Sequence, residues 1–190
     1  MSVSLLPRHA SRLSLLAVIL VTGIAGACAS RSAGGRQDGD GDSAFAAVQA
    51  RGADPRGMGV DQYTSVHRFD ALPDGGRIEL QRAVDDSAGV AQIRRHLHEI
   101  AAAFAAGDFS TPAFVHMQRV PGTEVMAARR DAISYAVHDL PGGGEVRITT
   151  HDPEALAAVH DFIAFQRQDH RAGGDGTPEP MHDGHSRPPL

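Results

Sequence analysis

Apolar and polar residues alternate in two separate stretches of the chain, and each stretch is followed by apolar residues spaced three and four apart. Alternation places successive side chains on opposite faces of a strand, whereas the longer spacing lines one side of a helix. In the first stretch His67 and Phe69 lead into Leu72-Pro73-Asp74-Gly75-Gly76, and Ile78 and Leu80 follow it. In the second, Ile133, Tyr135 and Val137 lead into Leu140-Pro141-Gly142-Gly143-Gly144, and Val146 and Ile148 follow. Each reads as a hairpin closed by a Gly-rich turn, apolar on one face and polar on the other, with Arg77, Glu79, Gln81 and Glu145, Arg147, Thr149 outward. The two turns begin at Leu72 and Leu140, so the second hairpin repeats the first after 68 residues.

A helix is predicted after each hairpin. Asp86 caps the first, whose stripe is Val90, Ile93, Leu97, Ile100 and Phe104. Asp152-Pro153-Glu154 opens the second with a cap, a proline at the first helical position and an acid in the first turn. Its buried arc is Leu156, Val159, Phe162 and Ile163. One ββα unit cannot bury its own apolar faces, but two can. The pattern therefore predicts an α+β fold over residues 64–171: two ββα repeats forming a four-stranded, mainly antiparallel sheet with both long helices on one face. In the connecting segment, residues 108–112 read as a loop and Thr123 to Arg130 as a short helix.

Outside that domain the pattern fades. Residues 28–63 are rich in Gly, Asp, Ser, Ala and Arg without an apolar period, and read as a flexible tether holding the domain about 30 Å from its attachment on average. Asp38-Gly39-Asp40-Gly41-Asp42 opens like a calcium loop, but Ser43 and Gln49 stand where that loop needs Gly and Glu. Residues 172–190 are rich in Gly, Pro and His and read as a disordered tail. Residues 1–27 read as a leader: Arg8 and Arg12 precede an apolar run from Leu13 to Ala27, too short to span a bilayer. The run ends Ile24-Ala25-Gly26-Ala27-Cys28, which resembles the lipobox of bacterial lipoproteins, with Ala25 where Leu is usual. The chain's single Cys falls where that motif is lipidated, so Cys28 is expected to carry a lipid anchor on the extracytoplasmic side of the cell envelope. With Ala at position 29 rather than Asp, the outer membrane's periplasmic face is expected where two membranes exist.

Composition narrows the chemistry. A single Cys excludes a disulfide scaffold and a Cys-based zinc finger, and a net charge of −5 argues against a nucleic-acid partner. No Gly-x-Ser-x-Gly elbow, phosphate loop, dinucleotide fingerprint or His-Glu-x-x-His is present, and no catalytic residue is assigned. The chain has 11 histidines, and their placement sorts them. His67 lies on the inward row of its strand, where the second copy has Tyr135, and reads as a hydrogen-bonded core residue. His98, His138 and His151 read as surface residues. His96, His116, His160 and His170 remain as candidate metal ligands, with Met117 and Met126 as weaker ones. Imidazole with thioether suits copper, and three or four imidazoles suit zinc. Met181, His182 and His185 in the tail offer only weak chelation.

The paired Leu-Pro-x-Gly-Gly turns, Gly107-Asp108-Phe109 flanked by His96 and His116, Pro121-Gly122, and the run from His160 to Asp169-His170 resemble a family of small secreted or lipid-anchored bacterial proteins. Members often carry the label aspartate carbamoyltransferase, so the resemblance implies a transferase. The residues depart from that chemistry: Phe109-Ser110-Thr111-Pro112 has no Arg for a carbamoyl phosphate turn, and its proline removes a backbone donor. The leading expectation is a membrane-anchored binding domain for a small ligand or an envelope protein. The rivals are a copper or zinc lipoprotein, and a transferase or hydrolase with a site gathering Asp108, His116 and His170. Changing Cys28→Ala is expected to move the protein from the membrane pellet to the soluble fraction on fractionation; retention in the pellet contradicts the anchor.

Overall fold

A computed structural model describes residues 37–172, with side chains from residue 41 onward. The leader, Cys28 and the tail beyond residue 172, including Met181, His182 and His185, lie outside the described residues. Within them the order is α1 (Gln37–Ala53), a 3-10 turn (Gln62–Thr64), β1 (Ser65–Leu72), β2 (Gly75–Arg82), α2 (Ser87–Ala105), α3 (Ser110–His116), α4 (Thr123–Ala128), β3 (Ile133–Leu140), β4 (Gly143–Thr150) and α5 (Pro153–Asp169), with a second 3-10 turn (Arg130–Ala132) before β3. Among the described residues no helix is long and apolar enough to cross a membrane.

The fold is α+β: four antiparallel strands in the order β1-β2-β4-β3, built from two hairpins with helices packed on them. Residues 65–72 and 75–82 form the first hairpin and residues 133–140 and 143–150 the second, so the repeat is kept residue for residue. Phe69, Ile78, Val146 and Val137 form one inward row across all four strands. Outward, Asp70 pairs with Arg77, whose guanidinium also lies 3.8 Å from both Glu79 and Glu145. The expected caps are present: Asp86 accepts from the backbone N–H of Gly89, and Asp152 from those of Glu154 and Ala155.

Each long helix packs mainly on the hairpin of the other copy, α2 on β3 and β4 and α5 on β1 and β2. Two glycines permit the approach. A Cβ on Gly76 would lie 2.9 Å from Ile163 Cγ1 of α5, and one on Gly144 3.0 Å from Leu97 Cδ1 of α2. Each glycine faces a large residue across the β2–β4 seam, Gly76 opposite Ile148 and Leu80 opposite Gly144. The turn carbonyls are held in the same crossed way: Arg94 of α2 donates to the Leu140 carbonyl at 2.7 Å, and His160 of α5 bonds the Leu72 carbonyl at 2.9 Å. Arg94 and His160 are each eight residues beyond the caps Asp86 and Asp152, so they are the same position in the two copies.

Two segments differ from the sequence reading. The tether expected over residues 28–63 is structured from Gln37: α1 buries Val48 and Gln49, and Met58 and Val60 belong to the main core. Ala supplies helix propensity there without an apolar period, so the helix left no stripe to read. Residues 110–116, whose first half was expected to be loop, form α3. Pro112 sits in its first turn, where the backbone N–H has no partner within the helix, and Asp108 accepts from the Ser110 N–H.

The glycine contacts set an expectation. Gly76→Val drives two methyl groups into Ile163 and Val159, and is expected to cost about 1–3 kcal/mol in urea denaturation. Ala71→Val, on the exposed strand partner of Gly76, should leave the midpoint nearly unchanged.

Candidate binding site

At the C-terminal end of α5 the sheet, α2, α5 and α3 line a half-open cavity of about 70 Å³, to which Gly52, Gly57, Met58 and Gln62 also contribute. Its walls are largely apolar, with Phe69, Ile78, Leu80, Ile100, Phe104 and Phe162 among them, and among the described residues no Asp, Glu or Arg lines it. Four imidazoles do: His67 from β1, His96 from α2, His116 from α3 and His170 just after α5. All four are less than a tenth exposed. Ring centres are 5.7 Å apart for His67 and His170 and 5.0 Å for His116 and His170.

Hydrogen bonds fix the tautomers of two of these rings. Ser65 Oγ lies 3.0 Å from both the Asp61 carbonyl and His67 Nε2. A hydroxyl has one hydrogen, and the carbonyl can only accept it, so Ser65 Oγ accepts from His67 Nε2–H. His67 Nδ1 then carries a lone pair, and it is buried without a partner. His170 Nδ1 lies 2.8 Å from Gln62 Oε1, which also accepts from Gln49 Nε2, while Gln62 Nε2 donates to the His170 carbonyl. His170 Nδ1 is therefore a donor, and its lone pair is on Nε2. His116 has both nitrogens engaged, Nδ1 with Asp169 and Nε2 with Gln166 Oε1 at 3.0 Å.

Burial keeps three of the rings neutral. Desolvation lowers the His67 pKa to about 3, with the nearby His96 adding to the shift. Desolvation alone takes His96 to about 4. His170 falls to about 3 through desolvation, then through the charges of His67 and His116, against an opposing pull from Asp169. Neutral imidazoles with pinned tautomers present lone pairs, so the cavity offers acceptors to a hydrogen-bond donor or to a cation.

The structure brings together three of the four candidate ligands. His96, His116 and His170 line the cavity with His67, which the sequence reading had assigned to the core alone. His160 is elsewhere, on the Leu72 carbonyl at the turn end of β1. Met117 is exposed with a left-handed backbone at φ 52°, and Met126 is fully buried in the main core, so neither thioether joins the imidazoles. Among the described residues no group of three or more His, Cys, Asp or Glu side chains is placed to hold one metal ion. Asp108 accepts from the Ser110 N–H at the start of α3 and does not line the cavity with His116 and His170. Asp169 does pair with His116, but Gln166 occupies the nitrogen that a catalytic dyad would turn toward a nucleophile. Gln62, Gln166 and Asp169 are the site residues missed in sequence. Gln166 had a signal, standing four residues from both Phe162 and His170 on the buried side of α5.

No family model, no curated protein and no solved structure matches the chain.

The lowered histidine pKa values give a pH dependence with a definite sign. Below about 6.5 the unfolded chain takes up protons that the folded chain does not, so stability is full above 6.5 and falls as pH drops toward 4. At pH 5 the linkage amounts to up to about 2 kcal/mol for each of the three histidines. The urea midpoint is expected to fall steadily from pH 7 to pH 5, and less steeply in a variant with His67→Tyr and His170→Phe.

Proposed function

We propose that the chain is a lipid-anchored binding domain of the cell envelope and that the histidine-lined cavity is its ligand site. The observation that carries this reading is the buried, unpartnered lone pair of His67 Nδ1 in an apolar chamber. A buried polar atom left unsatisfied costs about 1–3 kcal/mol, and His67 differs from its counterpart Tyr135, whose hydroxyl is also buried without a partner, in lining the cavity. Volume limits the ligand: a cavity of about 150 Å³ holds benzene, and this one is about half that size. The space between the histidines therefore suits an ion or a molecule of a few heavy atoms. A transferase or hydrolase reading loses support, because Asp108 does not line the cavity with His116 and His170.

A lipid on Cys28 fits the same reading. Eight residues separate Cys28 from the start of α1 at Gln37, a link of about 30 Å when fully extended.

Native mass spectrometry of the full chain, extracted from membranes in mild detergent, tests the binding role. A small bound mass is expected that is lost on denaturation and absent when His67→Tyr and His170→Phe are combined. The same bound mass on both folded proteins, or none on either, contradicts the assignment.

A further inference from the structure

We propose that His67 Nδ1 and His170 Nε2 hold a single copper(I) ion in the cavity. The inference rests on the cavity being the ligand site and names its ligand. Both rings have the arrangement of metal-bound histidines: the second nitrogen is pinned as a donor, His67 to Ser65 and His170 to Gln62, which fixes the tautomer and leaves a lone pair for the ion. The 5.7 Å between ring centres lies within the largest span of two imidazoles on one ion, about 6 Å from metal–nitrogen bonds of about 2 Å and about 1 Å from nitrogen to ring centre. His96, whose ring makes no hydrogen bond among the described residues, lines the same space.

The choice of ion follows from charge and coordination number. Among the described residues no carboxylate or thiolate lines the cavity, and the cost of burying an ion grows as the square of its charge, so a divalent ion costs about four times as much as a monovalent one. Zinc takes four ligands, and no three His, Cys, Asp or Glu donors are grouped for it among the described residues. Copper(I) accepts imidazole and is stable with two ligands.

The repeat supplies an internal control. Tyr135 is the counterpart of His67 after 68 residues, and Phe104 stands 18 residues beyond Asp86 as His170 stands 18 beyond Asp152. Tyr135 and Phe104 also touch, with ring centres 6.0 Å apart. The same place in the fold is therefore an aromatic pair in one copy and a histidine pair in the other. The architecture does not itself require histidine, and the aromatic pair shows which substitution the fold accepts.

The test is an anaerobic copper(I) titration of the full chain carrying Cys28→Ser, in competition with a chromogenic copper(I) chelator. One equivalent is expected to be withdrawn from the chelator. Combining His67→Tyr with His170→Phe should weaken binding by more than about 100-fold, while His160→Gln and Met117→Leu leave it unchanged. Equal retention by the parent and the double variant, or equal loss in His160→Gln, overturns the assignment. X-ray absorption on the copper-loaded parent needs no variant to fold: a nitrogen-only shell of two or three ligands supports the site, and sulfur in that shell overturns it. If native mass spectrometry finds an organic adduct and copper is not held, this inference alone fails; if neither is found, the binding role fails with it.

Discussion

The structure depends on a crossed packing in which each copy of the repeat lends its helix to the other. The apolar face of a two-stranded hairpin has too little area to bury itself, and the helix that follows it in sequence lies chiefly over the neighbouring hairpin. Gly76 and Gly144 make this possible by clearing the sheet surface under α5 and α2, with Ile148 and Leu80 filling the space opposite. Arg94 and His160 then fasten each helix to the far hairpin's turn. The central sheet, both helices and the core between them follow from that one exchange.

Departures from the repeat are where the candidate site lies. One side of the helical layer closes with Phe104, Tyr135, Phe109 and Phe162 in ring contact, a dry aromatic cluster. On the other side histidine replaces two of the matching aromatics, and the layer needs a cover. Residues that precede the first copy provide it. Gln62 bonds both the ring and the carbonyl of His170, Arg51 donates to the Val115 carbonyl at 2.5 Å, and Arg171 lies over the Phe45 ring. Met58 and Val60 add apolar burial to these polar ties.

The hairpins and long helices were legible because period, turn chemistry and caps agreed over their whole length. The helix α1 was not, since its Ala-rich sequence has propensity without a stripe, and it is held through scattered polar bonds that leave no period. The site was legible in part. Spacing put His96 at the border of its helix's apolar stripe and His170 on the buried side of α5, yet it treated His160 and His170 as partners. Ten residues of helix separate them by about 15 Å along the axis, too far to share one ion. The angle around a helix is easily read from sequence, while height along it decides which residues meet. His67 was placed inward correctly, but its free nitrogen depends on Ser65 and Asp61, and only the folded chain shows that bond.

The crossed packing also bears on ancestry. A polypeptide with one copy alone would leave its hairpin bare unless a second molecule supplied a helix, so the natural single-copy form of this architecture is a two-fold homodimer. In such a dimer every substitution appears twice, and a histidine pair could not arise on one side while an aromatic pair stayed on the other. Joining the two copies in one chain lifts that constraint, leaving one half to hold the fold together while the other diverges.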